Sequence, residues 1–298
     1  MSTSRKPIFT GSGVAIVTPF TEDDIIDYPL LGEMVEFQIA NSTDAIVVCG
    51  TTGESSTMSD CEHRDMIKYT VEKVNGRIPV IAGTGSNETK YAAELSVFAR
   101  EAGADAILLV TPYYNKTTQK GLVRHYENIV NAAKLPALIY NVPSRTGMTV
   151  AAETYAELSK NEYIYGCKEA SGDFSLAMKT AAICEKDFYI YTGNDDTITP
   201  MLALGAVGVI SVLANVLPKQ TSDICHSFFE GDIKRSLELQ LKYLEFTNLL
   251  FCETNPIPIK AAMKLMGYKV GDLRLPLCDI SDKNLALLIE SMKKLNIL

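Results

Sequence analysis

The sequence predicts an α/β protein, a (β/α)8 barrel with a helical C-terminal extension, and three observations carry that expectation. Short apolar, β-branched runs recur eight times, segments with helical apolar spacing separate most of them, and the residues just past several runs are rich in Gly, Thr, Tyr and Asn. Near-continuous apolar strands are those buried on both faces, the pattern of a parallel sheet covered by helices. Eight such units suit a closed barrel, with an open doubly wound sheet as the alternative.

The runs fall at residues 14–18, 45–49, 78–82, 106–110, 137–140, 164–168, 188–191 and 208–212. Between them the spacing predicts helices over 30–39, 60–74, 90–102, 121–133 and 175–184. Past the eighth run it predicts helices over 233–251, 258–266 and 281–295. The chain therefore divides into a catalytic barrel, 1–224, and a helical extension, 225–298, packed beside it, with no low-complexity segment between them.

Hydrophobic residues make up 47% of the 298 and charged residues 21%, the balance of a soluble globular protein. A net charge of −8 argues against a nucleic-acid or anionic-membrane binder, so an anionic substrate must be held by local cations. Seven scattered cysteines without a Cys-x-x-Cys read as reduced thiols and a cytoplasmic location. The three histidines, His63, His125 and His226, show no metal-ligand spacing, so no metal is expected. Residues 1–7 lead into no sustained apolar segment, and the uncharged run 197–218 is broken by Pro200, Gly205, Gly208 and Asn215, so neither a secretory signal nor a membrane span is expected.

The sixth run delivers Lys168 at its end. Burying an ammonium is costly unless it is paired or loses its proton. Alternation puts Ile164, Gly166 and Lys168 on one face, with Gly166 leaving room below the amine. An unperturbed lysine, of pKa about 10.4, is neutral in roughly one copy in 2,500 at pH 7, and desolvation can lower that pKa by roughly 3–5 units. A desolvated Lys168 is thus a candidate Schiff-base nucleophile; pairing with Glu169 is the plain structural alternative.

Barrel chemistry collects where strands end. Those ends are Gly50-Thr51-Thr52-Gly53-Glu54, Thr111-Pro112-Tyr113-Tyr114-Asn115, Tyr140-Asn141-Val142-Pro143-Ser144-Arg145-Thr146-Gly147, Lys168-Glu169-Ala170-Ser171-Gly172 and Thr192-Gly193-Asn194-Asp195-Asp196. Singly, each reads as a turn, aromatic packing or surface charge. Gly83-Thr84-Gly85 is no dinucleotide fingerprint, because Glu88 stands where its third glycine belongs. Together they supply what an α-keto acid needs: an amine in Lys168, hydroxyl donors in Thr51 and Thr52, and a proton carrier in Tyr140. Arg145 offers a planar clamp for a second carboxylated substrate.

At these motifs the chain resembles the pyruvate-dependent class I aldolases related to dihydrodipicolinate synthase and N-acetylneuraminate lyase, along essentially its whole length. The resemblance implies that Lys168 forms an imine with pyruvate while Thr52 holds its carboxylate. Tyr140, Thr51 and Tyr114 form the implied proton relay, with Tyr114 reaching into a neighbouring subunit's site. Arg145 matches the residue that binds the carboxylate of (S)-aspartate-4-semialdehyde, and the main chain at Gly193 and Ile210 matches positions lining the pyruvate pocket. The implied reaction yields 4-hydroxy-tetrahydrodipicolinate, on the way to diaminopimelate and lysine, without metal or organic cofactor, in a homo-oligomer that is a dimer or a tetramer built as a dimer of dimers. The alternatives are a related lyase or hydratase-aldolase acting on a sugar acid or another aldehyde, and a non-catalytic keto-acid-binding barrel.

One part of the pattern departs. Feedback-sensitive members bind lysine at positions matching Ser55, Ser56, Asp60, His63, Asn87, Tyr91 and Tyr113, usually with a histidine at the position of Asp60 and a glutamate at that of Tyr91. Without that glutamate an effector ammonium loses its partner, so weak or absent lysine inhibition is expected.

Overall fold

The computed structural model describes residues 5–298. Eight strands, β1 Gly11–Ala15, β2 Ala45–Val48, β3 Val80–Gly83, β4 Ala106–Val110, β5 Ala137–Asn141, β6 Ile164–Glu169, β7 Tyr189–Thr192 and β8 Gly208–Ser211, pair in parallel in sequence order. β8 returns to β1, with Gly11 opposite Gly208 and Val14 opposite Ser211, so the sheet closes as a barrel. Strand alternation then separates two cores. Ala45, Val47, Ala106, Leu108, Leu138 and Tyr140 point inward with Tyr191 and Ile210, whereas Ile46, Val48, Ile107, Leu109 and Ile139 face the helices. Phe9 plugs the inner core, its ring stacked 4.5 Å from that of Tyr191, whose hydroxyl donates to the Phe9 carbonyl at 2.7 Å.

The eight predicted helices lie within two residues of those observed. Five sit around the barrel: Tyr28–Ala40, Asp60–Val74, Thr89–Glu101, Gln119–Ala133 and Phe174–Ile183. Their starts are written locally: Asp27, Thr118 and Asp173 each accept a first-turn N–H, and Ser59 with Glu62 forms a capping box. Periodicity did not single out Ala152–Leu158 or Ile198–Ala203, which are too short to display it, nor Pro218–Phe229. The last of these packs on β1 and runs through residue 224, so a covering helix leads directly into the C-terminal helices Ile233–Leu249, Ile257–Leu265 and Asp282–Lys294.

Two strand starts move by more than one residue. β1 begins three residues earlier than expected because Gly11 and Gly13 conceal it: a Cβ at Gly13 would stand 2.8 Å from the Phe9 ring, so the plug occupies the space of a side chain. β3 begins at Val80 rather than at 78, since Pro79 has no N–H and serves the ladder only through its carbonyl, which accepts from Ile46. The extension grips the open end of the barrel through Gln240, whose amide donates to the Asp195 carbonyl at 2.8 Å and whose side-chain oxygen accepts from Thr199 N–H at 3.2 Å.

Candidate active site

The geometry around Lys168 differs from plain alternation. A register shift in the β5–β6 ladder puts Ile164 in the outer core with Cys167, while Gly166 and Lys168 follow the inward pattern. Gly166 is glycine for another reason than room for the amine: a Cβ there would lie 1.9 Å from the Tyr189 carbonyl oxygen of β7. The residue that makes room is Gly193, where a Cβ would come within 2.9 Å of Lys168 Cε and 2.7 Å of Ala170 Cβ.

Lys168 is 6% exposed, with Nζ 4.4 Å from the centroid of the Tyr140 ring. Glu169, the alternative partner, is on the other face of the strand. Its carboxylate accepts from Asn141 Nδ2 at 3.0 Å, Ser171 N at 2.8 Å and Tyr155 Oη at 3.4 Å, and burial raises its pKa against those bonds. Among the described residues Lys168 Nζ has neither an ion pair nor a hydrogen bond. Asp195, fully buried past β7, accepts from the N–H groups of Val212 and Leu213 at 2.8 and 3.1 Å; burial pushes its carboxyl up, and the Ser211 hydroxyl and these two N–H groups pull it back.

Thr51 and Thr52 lie in a 3-10 turn, Thr51–Gly53, directly after β2. Thr18 Oγ1 donates to the Gly53 carbonyl at 2.7 Å, and Asn255 Nδ2 donates to Thr52 Oγ1 at 3.0 Å. Arg145 stands in the one-turn helix Pro143–Thr146, and its guanidinium donates to the Asn255 carbonyl at 2.9 Å. Thr51, Thr52, Tyr140, Arg145, Lys168 and Gly193 line one cavity of about 160 Å³. That is the scale of a cavity that takes a small organic molecule. Ile210 sits below, buried in the inner core on β8, and Val212 lines the cavity in its stead.

Sequence reasoning missed Asn255, which joins Thr52 to Arg145 and whose buried Oδ1 has no partner. Nothing in its local sequence announces a site, because it arrives from the extension, 203 residues from Thr52.

Tyr114 is not in this cavity. It is 94% exposed and holds φ at +66°, a left-handed conformation unusual for an aromatic residue. The lysine-site positions divide. Ser55, Ser56, His63, Tyr91 and Tyr113 line a second cavity of about 360 Å³ that shares Thr51 and Arg145 with the first. Asn87 stands beside it, donating to the Tyr113 carbonyl at 3.3 Å. His63 donates through Nε2 to the Gly83 carbonyl at 2.7 Å, and burial lowers its pKa. The Asp60 carboxylate is engaged already, by Arg64 Nε at 2.7 Å and by the Tyr91 hydroxyl, and these partners hold its pKa down.

The sequence matches the Dihydrodipicolinate synthetase family over residues 8–295. A curated relative from Acetivibrio thermocellus, named 4-hydroxy-tetrahydrodipicolinate synthase, is 53% identical over 289 residues, 97% of this chain and 98% of that one. The chloride-inhibited dihydrodipicolinate synthase from Acinetobacter baumannii, solved in complex with pyruvate, superposes with a TM-score of 0.94 at 42% identity, covering 97% of this chain and 99% of that one. The Cyanidioschyzon merolae enzyme, solved with lysine bound, gives 0.95 at 36% identity, covering 98% and 100%. With its closed eightfold barrel and the lysine at the end of β6, the chain belongs to the dihydrodipicolinate synthetase family.

Proposed function

We propose that this protein is a Schiff-base-forming lyase that condenses pyruvate with (S)-aspartate-4-semialdehyde to 4-hydroxy-tetrahydrodipicolinate, in the route to diaminopimelate and lysine. The observation that carries the reading is the unpaired Lys168 amine beside Tyr140 in a small cavity that Arg145 also lines. Lys168 attacks the pyruvate carbonyl, whose oxygen leaves as water, and Thr52 donates to the carboxylate. Tyr140, with Thr51, moves the protons that make the imine and then the enamine. The enamine carbon attacks the aldehyde, whose oxygen becomes the hydroxyl, while Arg145 pairs with that substrate's carboxylate. The substrate amine then adds to the imine carbon, closing the ring and releasing Lys168. A threonine hydroxyl for one carboxylate and the Arg145 guanidinium for the other fit this chemistry better than that of a sugar-acid lyase, which needs hydroxyl partners in place of Arg145.

The exposed Tyr114 fits a relay completed between subunits, in a dimer or a tetramer built as a dimer of dimers. Lysine inhibition is weak or absent in this reading, because the Asp60 carboxylate is already taken up by Arg64 and Tyr91 and offers an effector ammonium little. The seven free thiols suit a cytoplasmic enzyme.

The test is turnover with both substrates, coupled to a purified downstream reductase and followed as NADPH oxidation. Activity that needs both substrates and vanishes in Lys168→Ala is expected. A folded protein without turnover, or without a pyruvate adduct on Lys168 after borohydride reduction, refutes the assignment. Inhibition by sub-millimolar lysine refutes the regulatory part.

A further inference from the structure

Glu54 closes the Gly-Thr-Thr-Gly-Glu motif, and none of the steps above uses it. Its side chain is 1% exposed, as is that of Lys260, whose Nζ donates to Glu54 Oε1 at 2.8 Å. The second carboxylate oxygen accepts from Arg274 N–H at 3.0 Å, and Lys260 also donates to the Asp272 carbonyl at 3.0 Å. Phe20 meets both cations, its ring centroid 4.4 Å from Lys260 Nζ and 4.3 Å from the Arg274 guanidinium. Burial pushes the Lys260 ammonium down in pKa and Glu54 opposes that shift. A buried pair of this kind gains little stability over a well-packed apolar contact, whereas losing one member is costly. Its placement therefore calls for another reason.

That reason lies in the neighbours. Residues 51–53 form a single turn closed by Glu54 N–H on the Thr51 carbonyl at 3.1 Å, so the turn moves with Glu54. Lys260 belongs to the helix Ile257–Leu265, which starts just past Asn255, the residue that donates to Thr52 Oγ1. One end of the extension thus holds the turn at two points, Thr52 through Asn255 and Glu54 through Lys260. Two points set a tilt where one would leave a pivot.

We infer that Glu54 and Lys260 are positioning residues for pyruvate: from the C-terminal extension, the pair sets the orientation of the Thr51–Gly53 turn and so where the threonine hydroxyls meet the substrate. This role rests on Thr51 and Thr52 handling pyruvate.

The experiment uses the full chain with Glu54→Gln, Lys260→Met and the double variant, each assayed well below its own Tm. Steady-state constants for both substrates, and the rate of borohydride trapping of pyruvate on Lys168, are measured beside the wild type. Each single variant is expected to lose Tm and raise the pyruvate KM by about tenfold or more, with the aldehyde KM within about twofold. The neutral pair in the double variant recovers most of the Tm while pyruvate KM stays high and trapping stays slow. Recovery of both Tm and pyruvate KM in the double variant overturns the inference, as does an equal rise in both KM values or a loss of Tm with pyruvate KM unchanged. A wild type that traps pyruvate but does not turn over refutes the second substrate alone and leaves trapping as the readout. A wild type that traps no pyruvate refutes the site assignment itself.

Discussion

Lys168 and Lys260 are the two lysines buried among the described residues, and each places Nζ 4.4 Å from the centroid of an aromatic ring, Tyr140 in one case and Phe20 in the other. There the likeness stops. Lys260 is held by a carboxylate and a carbonyl oxygen, and these bonds join the barrel to the extension. Lys168 has neither partner, although a glutamate follows it directly, because strand alternation turns Glu169 to the opposite face. The contrast is one of access: two protein oxygens take up the Lys260 nitrogen, while that of Lys168 faces a cavity in which a substrate carbonyl can reach it.

Matched substitutions break or sharpen this contrast, and the largest effect is expected from methionine at each lysine. Lys168→Met should lower turnover by at least about a thousandfold without lowering Tm, since no pair is broken. Lys260→Met should cost about 3–5 kcal/mol of stability by stranding Glu54, while Lys168 still traps pyruvate, only more slowly. Denaturant unfolding beside the coupled assay measures both, and a stability loss at Lys168 as large as that at Lys260 would erase the distinction.

Next in size is Arg145→Ala. Loss of the guanidinium should cost the second substrate about 2–3 kcal/mol, roughly 30- to 150-fold in its KM, with pyruvate trapping changed by no more than about twofold. Equal losses for both substrates would return Arg145 to a general structural role. Thr52→Val should cost pyruvate about 1–1.5 kcal/mol, roughly tenfold in KM, since one hydrogen bond goes and the Asn255 amide is left unpaired. Isothermal titration of the borohydride-free variant with pyruvate reads this directly.

The smallest effect concerns acid. Glu62, bonded to the Arg274 guanidinium at 2.6 Å, is pushed down to about 2 from an ordinary 4.5. The folded state therefore favours the carboxylate, and the stability this adds is present above about pH 4.5 and fades as pH falls through 2. Glu62→Gln should flatten that part of the Tm-versus-pH curve. An unchanged slope would mean that the cluster around Phe20 does not couple to pH.

Much of the site was legible before the fold was known, because it is local. Thr51, Thr52, Tyr140, Arg145 and Lys168 each sit at or just past a strand that apolar runs locate, and barrel closure brings the strand ends together. The helices were legible for the same reason, since 3.6-residue spacing and capping residues such as Ser59 and Glu62 lie within a few positions of each other. Spacing failed where a neighbour distant in sequence decides. Gly166 is set by the Tyr189 carbonyl, Gly13 by the Phe9 ring, and Ile164 by a register shift that alternation does not foresee.

The sequence by itself determined the eightfold alternation, the lysine at the end of the sixth run and the polar residue types at the neighbouring strand ends, because side-chain type and short-range periodicity encode them. The tertiary structure alone decided that Asn141 and Tyr155 take up the Glu169 carboxylate, that Gly193 makes room for the amine, and that Asn255 and Lys260 reach back from the extension to hold the threonine turn. Those contacts join residues as many as 206 positions apart, and only chain closure and packing bring such residues within hydrogen-bond reach.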